Sequence, residues 1–190
     1  MLNEIGSLLV QTVFGLFVFV VLLRFWMQVL RAPFRNPVGQ FVTALSNWIV
    51  LPVRRVVPGL LGFDLATVIV AWLAEALMLF LLMWMHDGSL GSSPGTAAGL
   101  VFGLAFLELL RLSLYLLIGV ALVQVIISWV NPHAPMAGIF DALTRPFYGV
   151  FRRLVPPIGG IDLSPLFVLL LAQVLLILLA GLAGVAQRPL

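Results

Sequence analysis

The side chains able to do chemistry are few, and they fall into three groups. Glu75 lies at the centre of the apolar run LATVIVAWLAEALMLFLLMWM, and Gln173 occupies the corresponding place in a later run. A carboxyl group at that depth in a bilayer is costly and normally faces a bundle interior. It would either tie helices together by a hydrogen bond, with Glu75 neutral or paired with Arg111 and Gln173 forming a pseudo-symmetric contact at mid-depth, or belong to a proton or ion path. Glu108 and Arg111, three residues apart on one helix face, are placed to satisfy each other. The second group is Arg54-Arg55 with Asp64 and Arg152-Arg153 with Asp162. Each aspartate precedes an apolar run, where it can cap the helix or join its arginines in a clamp for a headgroup phosphate or a partner. Adjacent arginines also attract anionic lipid. In the second copy Ser164-Pro165 offers a competing cap.

The third group is His86 and His133. They sit on opposite sides of the membrane in the topology derived below, so they cannot share a metal within one chain. With zero cysteines there is no Cys-x-x-Cys-His, no Cys-ligated zinc or iron–sulfur centre, no disulfide scaffold and no Cys nucleophile. No nucleophile elbow, phosphate loop or carboxylate pair is present either, so the chain is read as a non-enzyme with no cofactor, catalytic residue or metal site.

Positioning these residues is the task of an unusually apolar chain. Of 190 residues, 63% are hydrophobic and 9% charged, with mean hydropathy +1.20, which excludes a soluble coat and excludes disorder. All the basic residues are arginine; they flank apolar runs instead of interleaving with exposed aromatics, so nucleic acid is not the expected partner. A bilayer core takes roughly 20 apolar residues per helix. Four runs qualify: Leu8 to Trp26, Leu65 to Met85, about Leu110 to Val130 with an N-terminal extension from Ala97, and Leu166 to Leu182. The first begins MLNEIG and ends in Arg24-Phe25-Trp26, which fits a permanent anchor better than a cleaved signal. No run alternates at period two, which excludes an outer-membrane barrel.

Eight of the ten arginines fall in or beside the segments after spans one and three. The positive-inside rule then places both segments in the cytoplasm and both termini outside, with Arg188 external. Within those segments, residues 38–51 and 139–154 space their aromatic and aliphatic side chains near helical period and run into arginine pairs, the pattern of interfacial amphipathic helices.

The chain is duplicated. A shift of 98 lays Arg54 to Leu65 over Arg152 to Leu163 with seven of twelve positions identical, and a shift of 96 lays Gln28-Val29 over Gln124-Val125. We read residues 1–190 as a single membrane domain: repeat one 8–85, an external Gly/Ser-rich linker 86–96, and repeat two 97–183. The class is all-α and polytopic, with four transmembrane helices as two parallel repeats, each carrying a cytoplasmic interfacial amphipathic helix between its spans. Two spans per repeat put the pseudo-symmetry axis along the bilayer normal. Gly99 and Gly103 point to close helix packing, and four spans bury so little surface that a homo-oligomer or another membrane protein is the expected partner beside membrane lipids.

The repeated RR-x-x-P followed by G-x-D resembles the YggT (YlmG) family. The second copy, from Arg152-Arg153-Leu154-Val155-Pro156 through Gly159-Gly160-Ile161-Asp162 to Ser164-Pro165, preceded by Ser128-Trp129-Val130-Asn131-Pro132, follows the pattern closely. The first departs from it with Leu61 for the first glycine, Thr67 for the final proline and Arg31-Ala32-Pro33 near the place of Ser-Trp. The two-copy form is that of proteobacterial members. The resemblance implies an inner-membrane protein associated with osmotic-shock resistance and with cell division or nucleoid distribution; photosynthetic relatives imply a link to haem attachment, for which His86 or His133 would be the ligands here.

Overall fold

The computed structural model describes residues 2–59, 63–87, 94–131, 134, 136–155 and 162–186. Gly62, Pro156, Pro157, Gly159, Gly160, His133, Arg188 and most of the 86–96 linker lie outside them. Six helices form: α1 Leu2–Val29, α2 Pro37–Val56, α3 Leu65–Asp87, α4 Pro94–Val130, α5 Ala137–Leu154 and α6 Ser164–Ala186. In hydrocarbon every backbone amide must bond within its own segment, so uninterrupted apolar runs become helices. Those in α1, α3, α4 and α6 are long and apolar enough to cross a membrane, and the chain is a polytopic all-α membrane protein.

Each repeat is a hairpin of spans, α1 on α3 and α4 on α6, with the shorter α2 or α5 laid across its connecting end; α3 and α4 join the repeats. We call the connecting ends elbows. Elbow one begins where α1 stops. Ala32 N–H donates to Met27 O (2.8 Å) and Arg31 N–H to Gln28 O (3.2 Å), with Arg31 at φ 54°, the left-handed residue of a Schellman stop in a position usually given to glycine. Pro33 follows. Asn36 then caps α2, its side chain accepting from Gly39 N at 2.8 Å, with Pro37 in the first turn. A side chain at Gly39 would run into the main chain of Phe34, which fixes how tightly α2 folds back.

Both short helices are three-sided. α2 buries Gly39, Val42, Ser46 and Val50 against the bundle, and α5 buries Ile139, Leu143, Thr144 and Tyr148. Away from that face α2 exposes Phe41, Leu45, Trp48 and Leu51, and its arginines close the last turn. α2 therefore combines the two arrangements open from sequence, packing on the bundle along one stripe and presenting an apolar surface along another, whereas α5 exposes Arg145, Arg152 and Arg153 beside Val150 and Leu154.

The third span differs from expectation. The segment before Leu110 is not an appendage: α4 is continuous, and Val101 and Ala105 are buried against Ala76 of α3, small residues that let the helices approach. At 37 residues α4 is about 55 Å long, more than a hydrocarbon core of roughly 30 Å requires. Between the repeats, Trp26 Nε1 donates to Ser113 Oγ (3.2 Å), while Phe19 and Leu23 line one cleft with Tyr115 and Gly119, their counterparts at the shift of 96. Gly99 and Gly103 do not mediate packing within the chain, since a side chain at either would meet nothing within 4 Å.

Candidate functional site: two arginine–aspartate elbows

In elbow one, Arg54 at the end of α2 reaches Asp64, one residue before α3, and pairs with its Oδ2. The same oxygen accepts from Thr67 Oγ1 at 2.5 Å. From α1, Arg24 enters alongside at 4% exposure, donating through Nη1 to Ser46 Oγ (2.7 Å) and Asn47 Oδ1 (2.8 Å). Asp64 is 9% exposed and Thr67 and Ser46 are fully buried. Burial alone would raise the Asp64 pKa, but hydrogen bonds from Arg54 and Thr67 and the Arg54 charge outweigh it, holding the carboxyl below the ordinary carboxylate range. The elbow is a sealed polar core.

Elbow two repeats the clasp without the seal. Arg152 Nε and Nη2 both lie 2.7 Å from Asp162 Oδ2, and Asp162 Oδ1 accepts from Ser164 N at 2.9 Å, so the aspartate caps α6 and holds the arginine together. The cap belongs to Asp162; the Ser164 hydroxyl is buried without a partner among the described residues. Arg152 lies over the ring of Tyr148, 5.9 Å from its centroid, while the Tyr148 hydroxyl donates to Ala121 O at 3.3 Å. Burial, with the Asp162 charge adding to it and Arg152 opposing, pushes that phenol up to about 12. The Asp162 carboxyl, like Asp64, is held low: its burial is outweighed by the bonds from Ser164 and Arg152. Here, however, the pair stands open, with side chains 52% and 36% exposed against 40% and 10% for Arg54 and Asp64. Arg24 is replaced at its repeat position by Val120, Thr67 by Pro165 and Val50 by Tyr148. A cleft of about 540 Å³ lies beside this clasp, with Tyr148 and Pro165 in its wall.

Within each arginine pair the roles divide. Arg54 and Arg152 hold the aspartates, whereas Arg55 and Arg153 are exposed and form no ion pair among the described residues.

The intramembrane polar residues do not assemble as expected. Glu75 is fully buried, and neither of its oxygens has a hydrogen-bond partner among the described residues. Arg111 pairs instead with Glu108 (3.4 Å) and lies over Tyr115, 5.5 Å from the ring centroid, on an exposed face of α4. Gln173 is exposed on α6 and does not meet Glu75. The order of packing is the cause: α4 packs against both α3 and α6, which make no extended contact with each other among the described residues, and Glu108 of α4, the charged neighbour of Glu75, shares a cleft with Ala180 of α6. His86 is exposed, its Nδ1 3.0 Å from Leu82 O of its own helix, and no group of three metal-ligating side chains occurs among the described residues.

Sequence reasoning missed Arg24, Ser46 and Tyr148 as members of the elbows. A signal was available for the first: Arg24 and Gln28 are one turn apart on α1, and Asp64 is the first acid after Glu4.

Fold and site together define a duplicated four-span membrane protein with an arginine–aspartate clasp at each elbow. The chain belongs to the CCB3/YggT family, whose model matches it twice, over residues 4–85 and 103–183. It is 36% identical over 179 residues to the "Uncharacterized protein in proC 3'region" of Vibrio alginolyticus, covering 94% of this chain and 95% of that one. It is 32% identical to an uncharacterized protein of Pseudomonas aeruginosa (98% and 96% covered) and 34% identical to the uncharacterized protein YggT of Escherichia coli K12 (89% and 86%). No solved structure matches.

Proposed function

We propose that the chain is a non-enzymatic scaffold or assembly factor of the bacterial inner membrane, with both elbows in the cytoplasm and both termini outside. Its elbows engage anionic lipid and a second membrane protein, and through them it contributes to membrane organisation during osmotic stress and division. What carries the reading is the division of labour in the arginine pairs. One cation of each pair closes the fold, while Arg55 and Arg153 stand exposed at the ends of helices α2 and α5; α2 also exposes Phe41, Leu45, Trp48 and Leu51, and α5 exposes Val150 and Leu154 beside Arg145. Each arginine near an anionic surface is worth about 1 kcal/mol. Reversing both, Arg55→Glu with Arg153→Glu, is therefore expected to leave yield and helix content unchanged and to lower at least about fivefold the anionic lipid that co-purifies in mild detergent. Osmotic resistance and crosslinks to the partner in intact membranes should fall with it. Lipid content and phenotype both unmoved by the double reversal would remove the proposal.

Glu75 supports a second reading, a small channel or transporter using Glu75, Glu108, Arg111 and Gln173. A fully buried carboxyl group without a partner is the kind of group that ion and proton pathways use.

A further inference from the structure

The two clasps use the same residues; a cleft lies beside the clasp of elbow two, and the chemistry of that space selects an occupant. The cleft of elbow two is walled by Leu166 and Leu169 on its apolar side and by Gln124, Tyr148, Arg152 and Asp162 on its polar side. Arg152 uses Nε and one Nη2 hydrogen on Asp162, which leaves three of its five N–H donors free for a phosphate. Facing it are acceptors. Asp162 is more than a third exposed, and the Gln124 side-chain oxygen is buried with no donor among the described residues. The charges of Arg152 and Asp162 already match. A lone anion on the free donors of Arg152 would lie against the Asp162 carboxylate unbalanced, and a lone cation on Asp162 would lie against Arg152. A headgroup that carries a phosphate and an N–H-bearing ammonium satisfies both at once and supplies the donor that Gln124 lacks.

We propose that the elbow of the second repeat seats one phospholipid with a phosphoethanolamine headgroup, its phosphate on Arg152, its ammonium on Asp162 and Gln124, and its chains along Leu166 and Leu169. The volume suits a headgroup and the first part of its chains. In elbow one the same glutamine, arginine and aspartate recur, and Gln28 Oε1 is likewise buried with no donor among the described residues, but buried Arg24 and Thr67 crowd the clasp and the Asp64 side chain is only 10% exposed, so the seat is assigned to elbow two. The inference rests on the elbows lying at headgroup depth, as the proposed function has them, but it is independent of Arg55 and Arg153.

Native mass spectrometry of the whole protein in mild detergent tests it, with phosphatidylethanolamine, phosphatidylcholine and phosphatidylglycerol added in turn. The choline headgroup keeps the charges and removes every ammonium N–H. One phosphatidylethanolamine should be retained about tenfold over phosphatidylcholine, the scale of one hydrogen bond to a charged group. Gln124→Leu and Asp162→Asn should each bring that ratio close to one, whereas Arg55→Glu with Arg153→Glu should leave it unchanged while reducing retention of phosphatidylglycerol. Equal retention of the two zwitterionic lipids overturns the seat even if the double reversal still sheds phosphatidylglycerol, in which case the surface-charge reading survives alone. A ratio that persists in both Gln124→Leu and Asp162→Asn also overturns it.

Discussion

Asp64→Asn is expected to destabilise the protein by about 2–4 kcal/mol, whereas Asp162→Asn, the same change at the other elbow, should cost less than about 1 kcal/mol. Removing the Asp64 charge leaves Arg54 and the buried Arg24 without a counter-ion, and loss of one partner of a buried pair costs roughly 3–5 kcal/mol when both are enclosed. Arg54 is 40% exposed, which lowers the figure. The Arg152–Asp162 pair is exposed on both sides and behaves as a surface ion pair. Acid titrates the same clasp. A carboxyl held below its unfolded value contributes stability that is complete above about pH 4 and is lost as pH falls through the folded value. Unfolding in detergent micelles, followed by tryptophan fluorescence, should show the wild type weakening at acid pH, with the Asp64→Asn protein less stable at neutral pH and flatter across the acid range. Equal costs at the two elbows would contradict the distinction between a sealed and an open clasp.

The other large effect has the opposite sign. Glu75→Leu should raise stability by about 1–3 kcal/mol, because the substitution removes a buried polar group that makes no bond among the described residues and keeps the packing volume similar. The substitution also removes a carboxyl group that faces the charge of Glu108. Under the scaffold reading the substitution leaves ion leakage from protein-containing liposomes as it was. A proton or cation flux in the wild type that disappears in Glu75→Leu would instead establish the channel reading, and a loss of stability would show that the carboxyl holds something in place.

The spans, the duplication and the side on which the arginines gather were legible in the sequence because each is a property of runs. Hydropathy over about 20 residues defines a span, and identity at a constant shift defines a repeat. The clasps were half legible: Asp64 and Asp162 were readable as caps or clamps, and the structure makes Asp162 both and pairs each with the first arginine of its motif. Gln173 was misplaced for a different reason. Its symmetry with Glu75 is true of the sequence, but α4 packs against both α3 and α6, which make no extended contact with each other among the described residues, and no periodicity within a helix encodes that order of packing. Arg24 was masked by its position, an isolated charge in an apolar run reading as a topology signal until Ser46 and Asn47 are seen beside it.

The chain has no cysteine, so single-cysteine variants can be labelled without interference. Arg55→Cys, Arg153→Cys and His86→Cys, each probed with a membrane-impermeant maleimide in intact spheroplasts and again after permeabilisation, test the arrangement most directly. Positions 55 and 153 should label only after permeabilisation and position 86 before it. Labelling of 55 and 153 from opposite sides of the membrane would contradict a duplicated hairpin whose two elbows share one face.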